Sequence, residues 1–204
     1  MSERSFRRER ERRLAAEERR ESRRVHKAAA ATVAAGAFAL AAPAISSAAT
    51  FTVNSNGDTG ANNCAPDATP AGCELRDAIG DASSLAGADT IVFDSSISGQ
   101  TITLGAAGPL VVNDNYPLTI YGGPTPGSIH VSGNDSYLVF DVRNTDYGSP
   151  SDPRGLTLSG MTIQDGAGDP AGGIFVEQGT SGPFFSTDVL LTNSVVTGST
   201  AAGV

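Results

Sequence analysis

The eight residues Leu156-Thr157-Leu158-Ser159-Gly160-Met161-Thr162-Ile163 return in kind 33 positions later as Val189-Leu190-Leu191-Thr192-Asn193-Ser194-Val195-Val196. Leu118-Thr119-Ile120-Tyr121-Gly122 fits the same frame 38 positions before Leu156. The spacing is irregular but the core is constant: apolar, any residue, apolar, small, Gly or Asn, then a second apolar run. A repeat whose loops vary while its strands and corners do not is what stacked turns of one chain produce.

The rest of the chain after residue 49 is built from the same parts. Phe51-Thr52-Val53, Thr90-Ile91-Val92-Phe93, Thr101-Ile102-Thr103-Leu104, Leu110-Val111-Val112, Ile129-His130-Val131, Leu138-Val139-Phe140, Ile174-Phe175-Val176 and their fellows are runs of three or four residues bounded by Gly, Asn, Asp or Pro. Such runs read as short strands. Of the 24 glycines, 23 lie beyond residue 49, where turns need positive φ. An immunoglobulin-like sandwich also has short strands and frequent turns. The β-helix is preferred because its corners explain why Ser159-Gly160 and Thr192-Asn193 stand at equivalent places. Leu156 and Val189, Leu158 and Leu191, and Ile163 and Val196 are then expected to stack as partners in aliphatic columns, with Asn193 weighed as the head of an internal amide ladder. Thr200-Ala201-Ala202-Gly203-Val204 opens a further turn without completing it, which reads as a piece of a longer protein.

One segment breaks the strand pattern. In Cys73-Glu74-Leu75-Arg76-Asp77-Ala78-Ile79-Gly80-Asp81-Ala82, the apolar residues Leu75, Ala78, Ile79 and Ala82 recur at helical spacing, with Arg76 on the polar face. Gly87 is placed to stop the helix in a left-handed conformation. A single amphipathic helix ahead of a series of strands predicts a lid over the first open edge.

The run from Cys73 to Ile79, followed by Gly87-Ala88-Asp89-Thr90-Ile91-Val92-Phe93-Asp94, resembles the CSLREA domain. The likeness covers residues 51–94, and more loosely the remainder. Glu74 stands where that family usually has Ser, and Asp77 where it usually has Glu. The resemblance implies a bacterial surface or secreted protein whose N-terminal cap leads into a right-handed parallel β-helix, related in fold to pectate lyases and polymorphic outer-membrane proteins.

Charge divides the chain in two. Residues 1–27 carry 11 Lys or Arg and 6 acids, while residues 28–204 carry three Arg, no Lys and 16 acids. Residues 28–44 are apolar but alanine-rich, and Ser46-Ser47-Ala48-Ala49 supplies the small residues that a leader peptidase selects. Residues 1–49 are therefore expected to be an export signal with a long basic front, cut near the bond from Ala49 to Thr50. A retained anchor would need about 20 strongly apolar residues. Ser22-Arg23-Arg24-Val25-His26-Lys27 partly matches the twin-arginine pattern, which leaves that route and the general secretory route both open. The acidic remainder is a poor surface for nucleic acid, whose phosphates need basic groups. Cys64 and Cys73, the only cysteines, are read in an exported chain as a disulfide. The expected division is a cap over residues 50–89 and strands over residues 90–204.

Candidate chemistry is sparse. Asn54, Asn56 and Asp58 alternate as in the first half of a calcium loop, although Thr59 stands where glycine is wanted and no Glu closes the site; ordinary Asx turns explain the same residues. Asp165-Gly166-Ala167-Gly168-Asp169 is a second such candidate. Lyases of this fold need a basic group to take a proton, and only Arg76, Arg143 and Arg154 are offered; Arg76 is expected to pair with Asp77, Asp81 or a turn carbonyl. Hydrolases need paired carboxylates, for which Asn144-Thr145-Asp146 is a slender match. His130 is expected to point away from the core between Ile129 and Val131. The function expected is thus non-enzymatic, with loops displayed for adhesion or contact with a cell-surface glycan or polysaccharide. The alternative is a lyase or glycoside hydrolase with its site further along the chain.

Overall fold

The computed structural model describes residues 47–60, 64–114, 116–143, 155–177 and 188–201, all in one unit, Ser46–Val204. The leader up to residue 46, Asn144-Thr145-Asp146 and Arg154 lie outside the described residues.

The described chain is mostly β. Its strands are β1 (Thr50–Val53), β2 (Asp89–Phe93), β3 (Thr101–Thr103), β4 (Leu110–Val112), β5 (Leu118–Tyr121), β6 (Ile129–Ser132), β7 (Phe140–Arg143), β8 (Gly155–Ser159), β9 (Met161–Gln164), β10 (Ala167–Gly168), β11 (Ile174–Glu177), β12 (Asp188–Thr192), β13 (Val195–Thr197) and β14 (Thr200–Ala201). One α-helix, α1 (Leu75–Ser83), lies between β1 and β2, and a single 3-10 turn covers Ser95–Ile97.

Every pairing among the described strands is parallel. A five-stranded sheet runs β1-β2-β5-β8-β12, a four-stranded sheet β13-β9-β6-β3, a three-stranded sheet β11-β7-β4, and β10 pairs with β14. The chain visits the three larger sheets in one fixed order: β2, β3, β4, then β5, β6, β7, then β8, β9, β11, before returning through β12 and β13. Two facing antiparallel sheets have no such pairing, so the sandwich alternative falls.

Registers follow the sequence repeat. Leu118 pairs with Leu156 and Leu156 with Val189, while Ile120 pairs with Leu158 and Leu158 with Leu191. In the second sheet Ile129 pairs with Met161 and Ile163 with Val196. The expected aliphatic columns are all present. Alternation along each strand turns these residues inward, as in Leu110, Val111 and Val112, which are buried, exposed and buried. Thr90, Thr119 and Thr157 form a row on the other face of the first sheet, where β-branched side chains suit a half-wet surface. At the last edge the columns end half open, with Leu191 38% and Val196 45% exposed.

α1 buries Leu75, Ala78, Ile79 and Ala82, the four residues on its apolar face. It packs on β1 and β4, the outermost strands of two of the sheets, and on β2.

Three local expectations need correction. The helix ends at Ser83 rather than at Gly87: the Ser83 hydroxyl donates to the Ile79 carbonyl and the Ser84 hydroxyl to Asp81, so serines satisfy the last turn and Gly87 serves a later bend. The strand expected over Leu138-Val139-Phe140 is instead β7, Phe140–Arg143. Its register is set by Leu110 on Phe140 and Val112 on Val142, and the polar Asp141 and Arg143 hid its continuation. Asn193 is exposed, with φ 48, and heads no internal ladder. It makes the left-handed corner that Gly160 makes one pass earlier at φ 71. There a Cβ would lie 1.8 Å from the Gly123 carbonyl oxygen, so close stacking of successive corners demands glycine at 160.

Candidate functional site

A cluster of polar contacts joins the start of α1 to the loop after β1. Glu74 precedes α1 yet does not cap it with its side chain. Its carboxylate, 3% exposed, turns back to the loop after β1 and accepts hydrogen bonds from the Thr59 and Gly60 N–H groups at 2.7 and 2.9 Å, with the Thr59 hydroxyl 3.1 Å away. A Cβ on Gly57 would meet Glu74 Oε1 at 2.4 Å, so a larger residue there would push the carboxylate aside. Two residues further on, Arg76 donates from Nε and Nη2 to both oxygens of Asp58, and from Nη1 and Nη2 to the carbonyls of Pro109 and Gly108. Asp58 also accepts from the Gly105 N–H at 2.9 Å. The loop after β1, the lid helix and the turn before β4 are thus tied at one point.

This geometry decides several expectations. Arg76 does reach turn carbonyls, but its acid partner is Asp58 rather than Asp77 or Asp81, because the loop after β1 folds over the helix. Asp81 accepts instead from the Cys64 N–H at 3.0 Å. Cys64 and Cys73 form the expected disulfide, with Cα atoms 4.9 Å apart. Of the calcium-loop residues, Asn54 is spent on the Pro70 carbonyl and the Cys73 N–H, Asp58 faces the Arg76 guanidinium, and Asn56 is exposed. Among the described residues no three His, Cys, Asp or Glu side chains are grouped to hold a metal ion. At the other candidate, Asp165 sits at φ 50 and accepts from Gln164 and Ser132.

His130 points outward as expected, half-buried, with Nδ1 3.2 Å from Gln164 Oε1. Arg143 is held by Asp141 with Glu177 at 4.0 Å. The hydrogen bond and the charge of Asp141 push the Arg143 pKa above its ordinary value, the wrong direction for a proton-abstracting base.

Asp141 and Asp89 are among the buried acids that escaped the sequence reading. Asp141 is buried between Val111 and Phe175 in register. Asp89 stands in register with Leu118, at the foot of the column that continues through Leu156 and Val189. Aligning Asp89-Thr90-Ile91-Val92 on Leu118-Thr119-Ile120-Tyr121 would have exposed the second as a charge at an apolar position.

No family model, curated protein or solved structure matches this chain. No helix among the described residues is long and apolar enough to cross a membrane.

Proposed function

We propose that the chain is the lidded beginning of a right-handed parallel β-helix of the CSLREA kind, exported by a cleaved leader, and that it displays loops for adhesion or glycan contact without chemistry. The observation that carries this reading is the return of the chain to three parallel sheets in one fixed order, with side chains in register and α1 packed on the outermost strands. The right hand is the one parallel crossovers adopt. The CSLREA resemblance of residues 51–94 supplies the surface setting, and the acidic, lysine-free remainder supports a solvated exterior.

Four of the described acids are engaged in holding the structure: Glu74 on its loop, Asp58 on Arg76, Asp81 on the Cys64 N–H and Asp94 on the Ser95–Ile97 turn. None of these contacts is a pair of free carboxylates flanking a groove, which a hydrolase requires. The test is the exported protein on a polysaccharide panel and on cells. Saturable binding without release of reducing sugar or unsaturated uronate is expected; turnover of any polymer would replace this reading with the enzymatic one.

A further inference from the structure

Besides Ala42-x-Ala44, which lies outside the described residues, the sequence presents small residues to a peptidase at two adjacent bonds, after Ser46-x-Ala48 and after Ser47-x-Ala49. The fold distinguishes them. Ser47 and Ala48 are exposed, whereas Ala49 is buried. The Ala49 carbonyl accepts from the Thr90 N–H at 2.9 Å, extending the pairing of β1 with β2. Its N–H donates to Asp89 Oδ1 at 2.8 Å in a buried contact.

Asp89 is the unusual partner. It is 1% exposed, it occupies an aliphatic column position, and its Oδ2 is buried with no hydrogen-bond partner among the described residues. One neutral amide is poor compensation for a buried carboxylate. Cleavage after Ala49 would remove even that donor. The new terminus at Thr50 would instead face Asp67, whose Oδ1 is 3.1 Å from the Thr50 nitrogen in an exposed contact.

We propose that a leader peptidase hydrolyses the bond between Ala48 and Ala49, and that the new α-ammonium of Ala49 locks onto the Asp89 carboxylate at the foot of the column. Water adds across the peptide bond, the leader departs with the Ala48 carboxylate, and the freed amine takes a proton. An ammonium has three donors where the amide had one, enough to reach Oδ2 as well as Oδ1. Processing then completes the first edge of the stack with a charge pair that the precursor lacks. This inference rests on the export reading above.

The chain offers an unusually clean test, because residues 28–204 contain no lysine and the mature α-amino group is then its only primary amine. N-terminal sequencing of protein exported from cells making the full chain is expected to begin Ala49-Thr50-Phe51. A start at Thr50 overturns the cleavage position and leaves export standing; a start at Met1 overturns both. Labelling the exported protein with an amine-reactive ester at neutral pH should be at least about tenfold slower in the folded state than in urea, as burial in a charge pair requires, and Asp89→Asn should abolish most of that protection. Equal rates folded and unfolded would overturn the pairing. Should Asp89→Asn not fold, the folded-to-urea ratio of the unaltered protein decides alone.

Discussion

Arg76 and Asp58 meet fork to fork, Nε to Oδ1 at 2.7 Å and Nη2 to Oδ2 at 2.9 Å, across 18 residues of sequence. The Asp58 side chain is 3% exposed and that of Arg76 19%. Arg76→Met would leave the carboxylate buried opposite no charge and free the Gly108 and Pro109 carbonyls. The expected loss is about 3 to 5 kcal/mol, the cost of breaking one side of a buried pair, read from urea unfolding. Arg76→Lys keeps the charge but not the planar fork, and about 1.5 to 3 kcal/mol should go with the missing charged hydrogen bonds.

Glu74 holds the Thr59 and Gly60 amides. Replacing it with the serine usual in the CSLREA pattern shortens the side chain beyond reach of both. Glu74→Ser is expected to cost about 2 kcal/mol for donors left unpaired, and hydrogen exchange at Thr59 and Gly60 should accelerate more than exchange within α1. Unchanged protection of those two amides would count against the clasp.

The columns predict a gradient. Ile120 is fully buried between Ile91 and Leu158 in register, whereas Leu191, two positions further along the same column, is 38% exposed. Ile120→Ala should destabilise by about 2 to 5 kcal/mol, and Leu191→Ala by no more than about 1 kcal/mol for its smaller buried area. Equal losses in paired denaturation curves would mean that the last edge is covered in solution.

The disulfide closes a loop separated by nine positions just before the lid. Its reduction should lower stability by about 2 to 3 kcal/mol on the chain-entropy account. Alkylation of exported protein should modify neither Cys64 nor Cys73 until a reductant is added, as mass spectrometry would show.

Asp94 caps the Ser95–Ile97 turn, and hydrogen bonds from the Ser96 hydroxyl and then its N–H lower the Asp94 pKa below its ordinary value. The folded value lies below the unfolded one, so the contribution is fully present above the unfolded pKa and lost as pH falls through the folded one. The Ser96 amide resonance should therefore titrate with a midpoint below that of an ordinary aspartate, and Asp94→Asn should flatten the transition.

Most strand positions, the aliphatic partners of Leu156, Leu158 and Ile163, the apolar face of α1 and the disulfide were legible in the one-dimensional sequence. Each rests on a local regularity: alternation by two, recurrence by three and four, or two cysteines with no other partner. The strand at β7 was misplaced because Asp141 and Arg143 interrupt that regularity without interrupting the backbone pairing.

What only the tertiary structure decided is where each charge goes. Asp58 finds Arg76, Glu74 finds the loop at Thr59, and Asp89 finds the Ala49 nitrogen 40 positions away. Apolar side chains need only to leave water, and periodicity tells which face they leave by. A buried carboxylate needs a particular donor within about 3 Å, and which donor arrives depends on how the lid and the first strands close over one another.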